Sequence, residues 1–67
     1  MKEINKQMNT ERGLIQISRE YDNEDDARKD GYSYMFTSTD LKAYIYGKAL
    51  DNLGHRRECV IIYKKGE

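Results

Sequence analysis

The chain has 67 residues, with twelve basic and twelve acidic side chains, one cysteine, one histidine and no proline. A domain of this length buries only about 60% of the surface that its unfolded chain exposes, so its stability margin is thin. One cysteine cannot form an internal disulfide, and together with one histidine it falls short of the four ligands of a structural zinc, so neither a metal nor another cofactor is expected.

The remaining composition limits location and partners. The balanced charge lacks the overall positive field that general nucleic-acid binding uses. No stretch is apolar for long enough to form a signal peptide or a membrane span, and a lone cysteine suits a reducing compartment. We therefore expect a soluble cytoplasmic domain that makes no membrane contact and that self-associates to supplement a small core. A short, highly charged, free-standing domain is also typical of products that phages and mobile elements encode.

The first twelve residues are polar, and only Ile4 and Met8 are apolar after the initiator. Their i, i+4 spacing suits one turn of helix packed on something larger, whereas chain termini are disordered unless they are tied down. The sequence predicts a flexible or partly docked N-terminal arm over residues 1–12. It predicts one domain over residues 13–67.

The next segment predicts a strand followed by a short helix. Residues 14–21 alternate between apolar and polar side chains, as in a strand with one wet face. Asn23 can cap a helix whose first turn, residues 24–26, is acidic, which the helix dipole favours. Gly31 is a natural residue to follow the end of that helix.

Three further segments complete the predicted domain. Residues 32–37 alternate aromatic with smaller side chains and predict a second strand. Residues 41–53 have apolar side chains near helical spacing after a Ser-Thr-Asp start, which predicts a longer helix. Gly47 weakens that helix and leaves an all-β alternative, with residues 41–46 as a strand. Residues 59–63 are apolar on both faces and predict the central strand.

The predicted order is therefore β-α-β-α-β, which indicates an α+β fold. We expect a small two-layer domain in which a three-stranded sheet, with its C-terminal strand central, is packed on one face by two helices. The outer edges of such a sheet are unpaired, which favours dimerisation or the addition of a partner's strand.

Catalysis is not expected. Asp51, His55 and Cys59 are spaced i, i+4, i+8, and a cysteine nucleophile does need a neighbouring base. The spacing, however, crosses a glycine and passes from a predicted helix into a predicted strand. Cys59 opens an apolar run and is better interpreted as a small buried hydrophobe than as a nucleophile. The chain is predicted not to be an enzyme.

His55, Arg56 and Arg57 form the densest cationic cluster of the sequence. Arginines grip phosphate bidentately and a tyrosine can stack on a base, so the cluster is a candidate site for a nucleotide or single-stranded nucleic acid. Two simpler explanations compete with this one. The cations could complement the negative end of a preceding helix, or they could pair with the acidic segment.

The chain has six tyrosines, one phenylalanine and no tryptophan. Tyrosine favours positions where the ring is buried and the hydroxyl is wet, which is also where interfaces form. The leading hypothesis is a non-enzymatic module that self-associates and binds a protein partner through a tyrosine-rich and acidic surface. The interface candidates are Tyr32, Tyr34, Tyr44, Tyr46, Glu24, Asp25 and Asp26.

Overall fold

The computed structural model of the chain describes residues 1–65. These residues form five strands and one short helix. In chain order they are Lys2–Thr10 (β1), Gly13–Glu20 (β2), Glu24–Lys29 (α1), Ser33–Ser38 (β3), Ala43–Ala49 (β4) and Arg57–Tyr63 (β5). The last two residues of the predicted domain lie outside the described part. Across residues 1–65 we find no helix whose length and apolarity would let it span a membrane.

All five strands belong to one mixed sheet in the order β1-β2-β5-β4-β3. β5 pairs in parallel with β2 and antiparallel with β4, and the two outer pairs are antiparallel. The predicted three-stranded α+β domain with two helices is therefore wrong. The C-terminal strand does lie at the centre, but it has four companions and a single short helix beside it.

The predicted second helix over residues 41–53 is replaced by strand β4 and part of the loop that follows it. Ser38 Oγ accepts a hydrogen bond of 3.1 Å from the backbone N–H of Leu41, which is the contact that a helix N-cap would make. The chain turns back at this point instead, because Lys42 takes the left-handed conformation at φ 54°. The same serine thus closes a turn between β3 and β4.

Residues 2–10, expected as a flexible or partly docked arm, form edge strand β1. The β1–β2 turn is closed by Thr10, whose hydroxyl donates to the carbonyl of Gly13 at 2.8 Å. Ile4 and Met8 both pack on the core from β1 rather than from a helical turn. The register shifts between Glu3 and Lys6, so the edge strand carries a bulge near its start.

Both faces of the sheet are apolar. Successive residues of a strand point to opposite sides, so one strand contributes side chains to both faces. One face carries the aliphatic cluster, and the other carries the tyrosine cluster, which α1 covers through the buried Ala27. On β5 the alternation is direct, since Ile61 belongs to the first cluster and Val60 and Ile62 to the second. The aliphatic cluster consists of Met8, Ile17, Phe36, Ala43, Ile45 and Ile61. The tyrosine cluster consists of Tyr21, Ala27, Tyr32, Tyr46, Val60 and Ile62.

The sheet curls around the aliphatic cluster, since that cluster contains Met8 from one edge strand and Phe36 from the other. Glu11, in the β1–β2 turn, reaches the far end of β3. Its carboxylate accepts hydrogen bonds from the Ser38 hydroxyl at 2.7 Å and from the Thr39 backbone N–H at 2.6 Å. This carboxylate therefore links the two outer strands where the curled sheet approaches itself.

Candidate functional site

The hydroxyls of the tyrosine cluster are satisfied inside the protein. Tyr46 donates to Glu24 Oε2 at 2.7 Å, and Tyr21 donates to Asp30 Oδ2 at 2.5 Å. Burial, and then the hydrogen bond to the neighbouring carboxylate, raises the pKa of both phenols. Burial also raises the pKa of Tyr32 to about 12, with a smaller contribution from Glu58. These rings are held as part of the core.

The four candidate interface tyrosines separate into two pairs. Tyr32 and Tyr46 are only 2% and 1% exposed, so their rings lie within the chain's own core. Tyr34 is 54% exposed on edge strand β3, and Tyr44 is half-buried on β4. Only the second pair offers surface to a partner.

The three acidic candidates make contacts within and around α1. Glu24 accepts a hydrogen bond from the Tyr46 hydroxyl, and Asp25 forms an ion pair of 2.6 Å with Arg28. Asp26 donates its backbone N–H to the side chain of Asn23 at 2.9 Å, which caps the helix as the sequence predicts. The acidic segment thus has a structural role in fixing the helix and its contact with the sheet.

Neither of the two simpler explanations for the cationic cluster, the negative end of a preceding helix or pairing with the acidic segment, fits the structure. His55 and Arg56 lie in the loop between β4 and β5, Arg57 begins β5, and all three are exposed. A strand precedes this loop, so there is no helix end for the cations to complement. Across residues 1–65, no carboxylate forms an ion pair with Arg56 or Arg57. Both arginines are therefore available to a ligand or partner.

Two leucines stand beside these cations, and sequence reasoning missed them. Leu53 is 77% exposed and Leu50 is 51% exposed, although Leu53 belongs to the apolar spacing from which the helix over residues 41–53 was predicted. The backbone N–H of Leu50 donates to the carbonyl of Arg56 at 2.8 Å, and that of His55 donates to Asp51 Oδ1 at 2.9 Å. We call residues 50–56 the contact loop. Its internal hydrogen bonds hold a defined shape in which leucine and arginine side chains face solvent.

A groove of about 260 Å³ opens next to the contact loop, where the start of β3 meets the end of β4. Its floor is shaped by a glycine, because Met35 lies across Gly47. A Cβ on Gly47 would come within 2.4 Å of the Met35 sulfur. The residues that define the groove include Gly31, Tyr34, Met35, Gly47, Lys48 and Arg57. We call it the β3–β4 groove.

A smaller groove of about 150 Å³ lies at the other end of the sheet. Tyr44, the exposed Tyr63 and Lys65 contribute to it, together with the residues that open α1. The Nζ atom of Lys64 lies 5.5 Å from the centre of the Tyr44 ring. This groove is shallow and mixes both signs of charge, so it favours no ligand class.

The three residues considered for catalysis do not form a nucleophile site. Cys59 packs against the aliphatic cluster, and burial raises the pKa of its thiol, which disfavours the reactive thiolate. His55 is exposed in the contact loop, and Asp51 bonds the backbone of His55 rather than its ring. Within residues 1–65, no three side chains of His, Cys, Asp or Glu are grouped so that they could hold a metal ion.

Among residues 1–65, the contact loop and the β3–β4 groove both present exposed side chains that can engage another molecule. Their functions must be inferred from the chain's own geometry. No protein-family model matches the chain, and neither a curated protein nor a solved structure shows significant similarity to it.

Proposed function

We propose that the protein is a small non-enzymatic interaction module that binds a protein partner through the contact loop. The observation that carries this proposal is the exposure of Leu50 and Leu53 beside Arg56 on a loop with its own backbone hydrogen bonds. Exposed apolar side chains that cluster on a surface mark interaction sites. Arginine is enriched where such sites contribute most of the binding energy.

The chemistry of the loop defines the partner surface that it fits. The two leucines need an apolar pocket, and Arg56 and Arg57 need carboxylates around its rim. Phosphate recognition alone would leave the leucines without a role, because phosphate offers them no apolar surface. The acidic and tyrosine-rich surface first considered for this role contributes less, since most of its side chains are engaged inside the chain.

Paired substitutions of leucine test this proposal. The bait is the full chain on a resin, and the prey is lysate from the source cell. The double variant Leu50→Ser/Leu53→Ser should lose a partner that the unaltered chain retains. Leu14→Ser is the matched control, because Leu14 is 58% exposed on β2 and lies outside the contact loop. Retention of the same partners by the double variant contradicts the proposal.

Recognition of single-stranded nucleic acid by His55, Arg56 and Arg57 is the second candidate function. It is favoured by the exposure of these cations and by the absence of a carboxylate partner for the arginines across residues 1–65. Titration of a short oligonucleotide at two salt concentrations tests it, since binding to phosphates must weaken as salt rises. An oligonucleotide affinity that Arg56→Gln leaves unchanged would exclude this cluster as the binding site.

Self-association is proposed for the same chain. Edge strand β3 contains no charged residue from Ser33 to Ser38, whereas edge strand β1 carries Lys2, Glu3 and Lys6. Charges and bulges on an edge strand discourage pairing with another chain, and β3 has only the bulge at Met35. We expect a dimer by light scattering. A monomer that persists at high protein concentration would refute self-association while leaving partner binding intact.

A further inference from the structure

We propose that the β3–β4 groove, on the aliphatic face of the sheet, binds a small carboxylic acid that carries an apolar chain. This ligand site goes beyond the proposed partner binding, because the groove lies outside the contact loop and can be tested on the chain alone. Its volume of about 260 Å³ is just below the usual range for drug-sized ligands, so the site suits a short-chain acid.

The strand register separates the groove residues by face. Gly47 lies directly opposite Cys59 on β5, and residues paired in this way point to the same side of a sheet. Cys59 packs against the aliphatic cluster, so this side is the aliphatic face. Ala49 and its partner Arg57 lie two residues further along each strand and share that face. Lys48 alternates with its neighbours and points to the tyrosine face.

The floor of the site is apolar. Met35 packs against the aliphatic cluster, and its thioether lies across Gly47, which has no Cβ to hold it away from the β4 backbone. Ala49 continues this surface, because its methyl group projects from the same face of β4. Methionine is unbranched and polarisable, so it adapts its shape to an apolar group. An alkyl chain laid over these side chains is removed from water on one side.

Arg57 supplies the charge that the carboxylate needs. Within residues 1–65, no carboxylate forms an ion pair with this arginine. Its charge acts at the floor of the site, since burial raises the pKa of the Cys59 thiol and the positive charge of Arg57 opposes that rise. A guanidinium pairs with a carboxylate through two parallel N–H donors. One arginine balances one negative charge, which favours a monocarboxylate over a phosphate monoester of about −1.5 to −2 charges.

The acidic neighbour of Arg57 in sequence, Glu58, does not neutralise it. Glu58 alternates with Arg57 along β5 and therefore points to the tyrosine face. There its carboxylate accepts a hydrogen bond of 2.8 Å from the Ser18 hydroxyl and lies 3.9 Å from Nε of Arg19. Arg57 thus keeps its charge for a ligand on the opposite face.

Amide chemical shifts during titration with hexanoate test the proposal, with acetate, butyrate and hexanol as separate arms. We expect hexanoate to shift the resonances of Gly47, Ala49 and Arg57. Affinity should rise from acetate to hexanoate, by up to about fourfold for each methylene that reaches the apolar floor. The neutral alcohol should bind about tenfold more weakly than hexanoate, because it lacks the charge-assisted contact.

Two variants remove the charge in different ways, and both positions are exposed, so neither change removes a core contact. Arg57→Gln should weaken hexanoate binding about tenfold. Ala49→Asp should do the same without altering the arginine, because it places a carboxylate directly opposite Arg57. Ala49→Asn is its uncharged control, and Lys48→Gln removes a groove cation that points to the other face. Both controls should retain the affinity of the unaltered chain.

The proposal is overturned if no groove resonance shifts at millimolar hexanoate, or if hexanoate binds no more tightly than acetate. It is equally overturned if Lys48→Gln weakens binding as much as Arg57→Gln, because the ligand then does not lie on the aliphatic face. Equal weakening by Ala49→Asn and Ala49→Asp would also contradict it, since the loss of affinity would then not depend on charge.

Discussion

Glu11 is an exposed residue whose carboxylate accepts hydrogen bonds from two residues at the end of another strand, β3. The hydroxyl and backbone N–H of Thr39 and the hydroxyl of Ser38 all donate to it. These bonds, led by that of the Thr39 side chain, lower the pKa of Glu11 from 4.5 to about 2. Hydrogen bonds to the charged form stabilise that form in the folded state.

A pH dependence of stability follows from this shift. Because the folded-state pKa lies below the unfolded value, the contribution of Glu11 is fully present above about pH 4.5 and is lost as the pH falls toward about 2. We expect Glu11→Gln to flatten the loss of unfolding free energy over that window, as followed by urea denaturation. Glu3→Gln, on the exposed part of β1, is the control. Equal slopes for Glu11→Gln and the unaltered chain would refute the assignment.

At the scale of single elements, α1 is the best-predicted part of the structure. Asn23, the acidic first turn and Gly31 were identified from sequence, and the helix Glu24–Lys29 lies between them. The signals suffice here because the capping hydrogen bonds are local and involve residues three apart. What local signals did not predict is the role of Glu24, which receives a hydrogen bond from Tyr46 across 22 residues of chain.

Removal of the helix cap should therefore destabilise the folded domain and not only α1, because α1 covers the tyrosine cluster. Asn23→Ala removes the acceptor for the Asp26 N–H, a loss of about 1 kcal/mol at a typical N-cap. In a domain of this size that corresponds to a fall in Tm of about 4–8 °C. Asn23→Ser keeps a capping oxygen and should retain most of the stability. If Asn23→Ala melts at the same temperature as the unaltered chain, the cap contributes no stability.

β4 shows where an element cannot be predicted from its own pattern. Tyr44, Ile45 and Tyr46 favour a strand, but the apolar spacing from residue 41 to residue 53 fits a helix equally well. The Ser-Thr-Asp start did not decide between them, since the same side chains stabilise turns and helix caps. Pairing with both β3 and β5 decides in favour of the strand, and that information is non-local. The exposed leucines of the contact loop were missed for the same reason.

At the scale of the whole molecule, sequence predicted the centre of the sheet better than its edges. The run at residues 59–63 is apolar on both faces, so it had to be covered on both, and β5 is the middle strand. β1 gives almost no sequence signal, because an edge strand exposes most of its side chains and buries only Met8 and Thr10. The groove was not predicted, since it depends on how the end of β4 meets the start of β3.

This gradient from centre to edge predicts how the molecule opens. The amides of Val60, Ile61 and Ile62 lie on a strand that is paired on both sides and buried, so they should exchange with solvent only through global unfolding. The amides near the start of β1 lie on a strand that is paired on one side only. They should exchange by local opening at a much lower free energy.

The substitution Met8→Ala separates local from global opening, because Met8 is the buried anchor of β1 in the aliphatic cluster. It should speed exchange in β1 and lower the free energy of unfolding by about 2 kcal/mol, the low end for a buried methionine. Met1→Ala, at a position that is 62% exposed, is the control. Uniform protection along β1 and β5 in the unaltered chain would show that the curled sheet opens as one unit. In that case the hydrogen bonds of Glu11 to Ser38 and Thr39 would hold the two edge strands together as firmly as strand pairing holds β5.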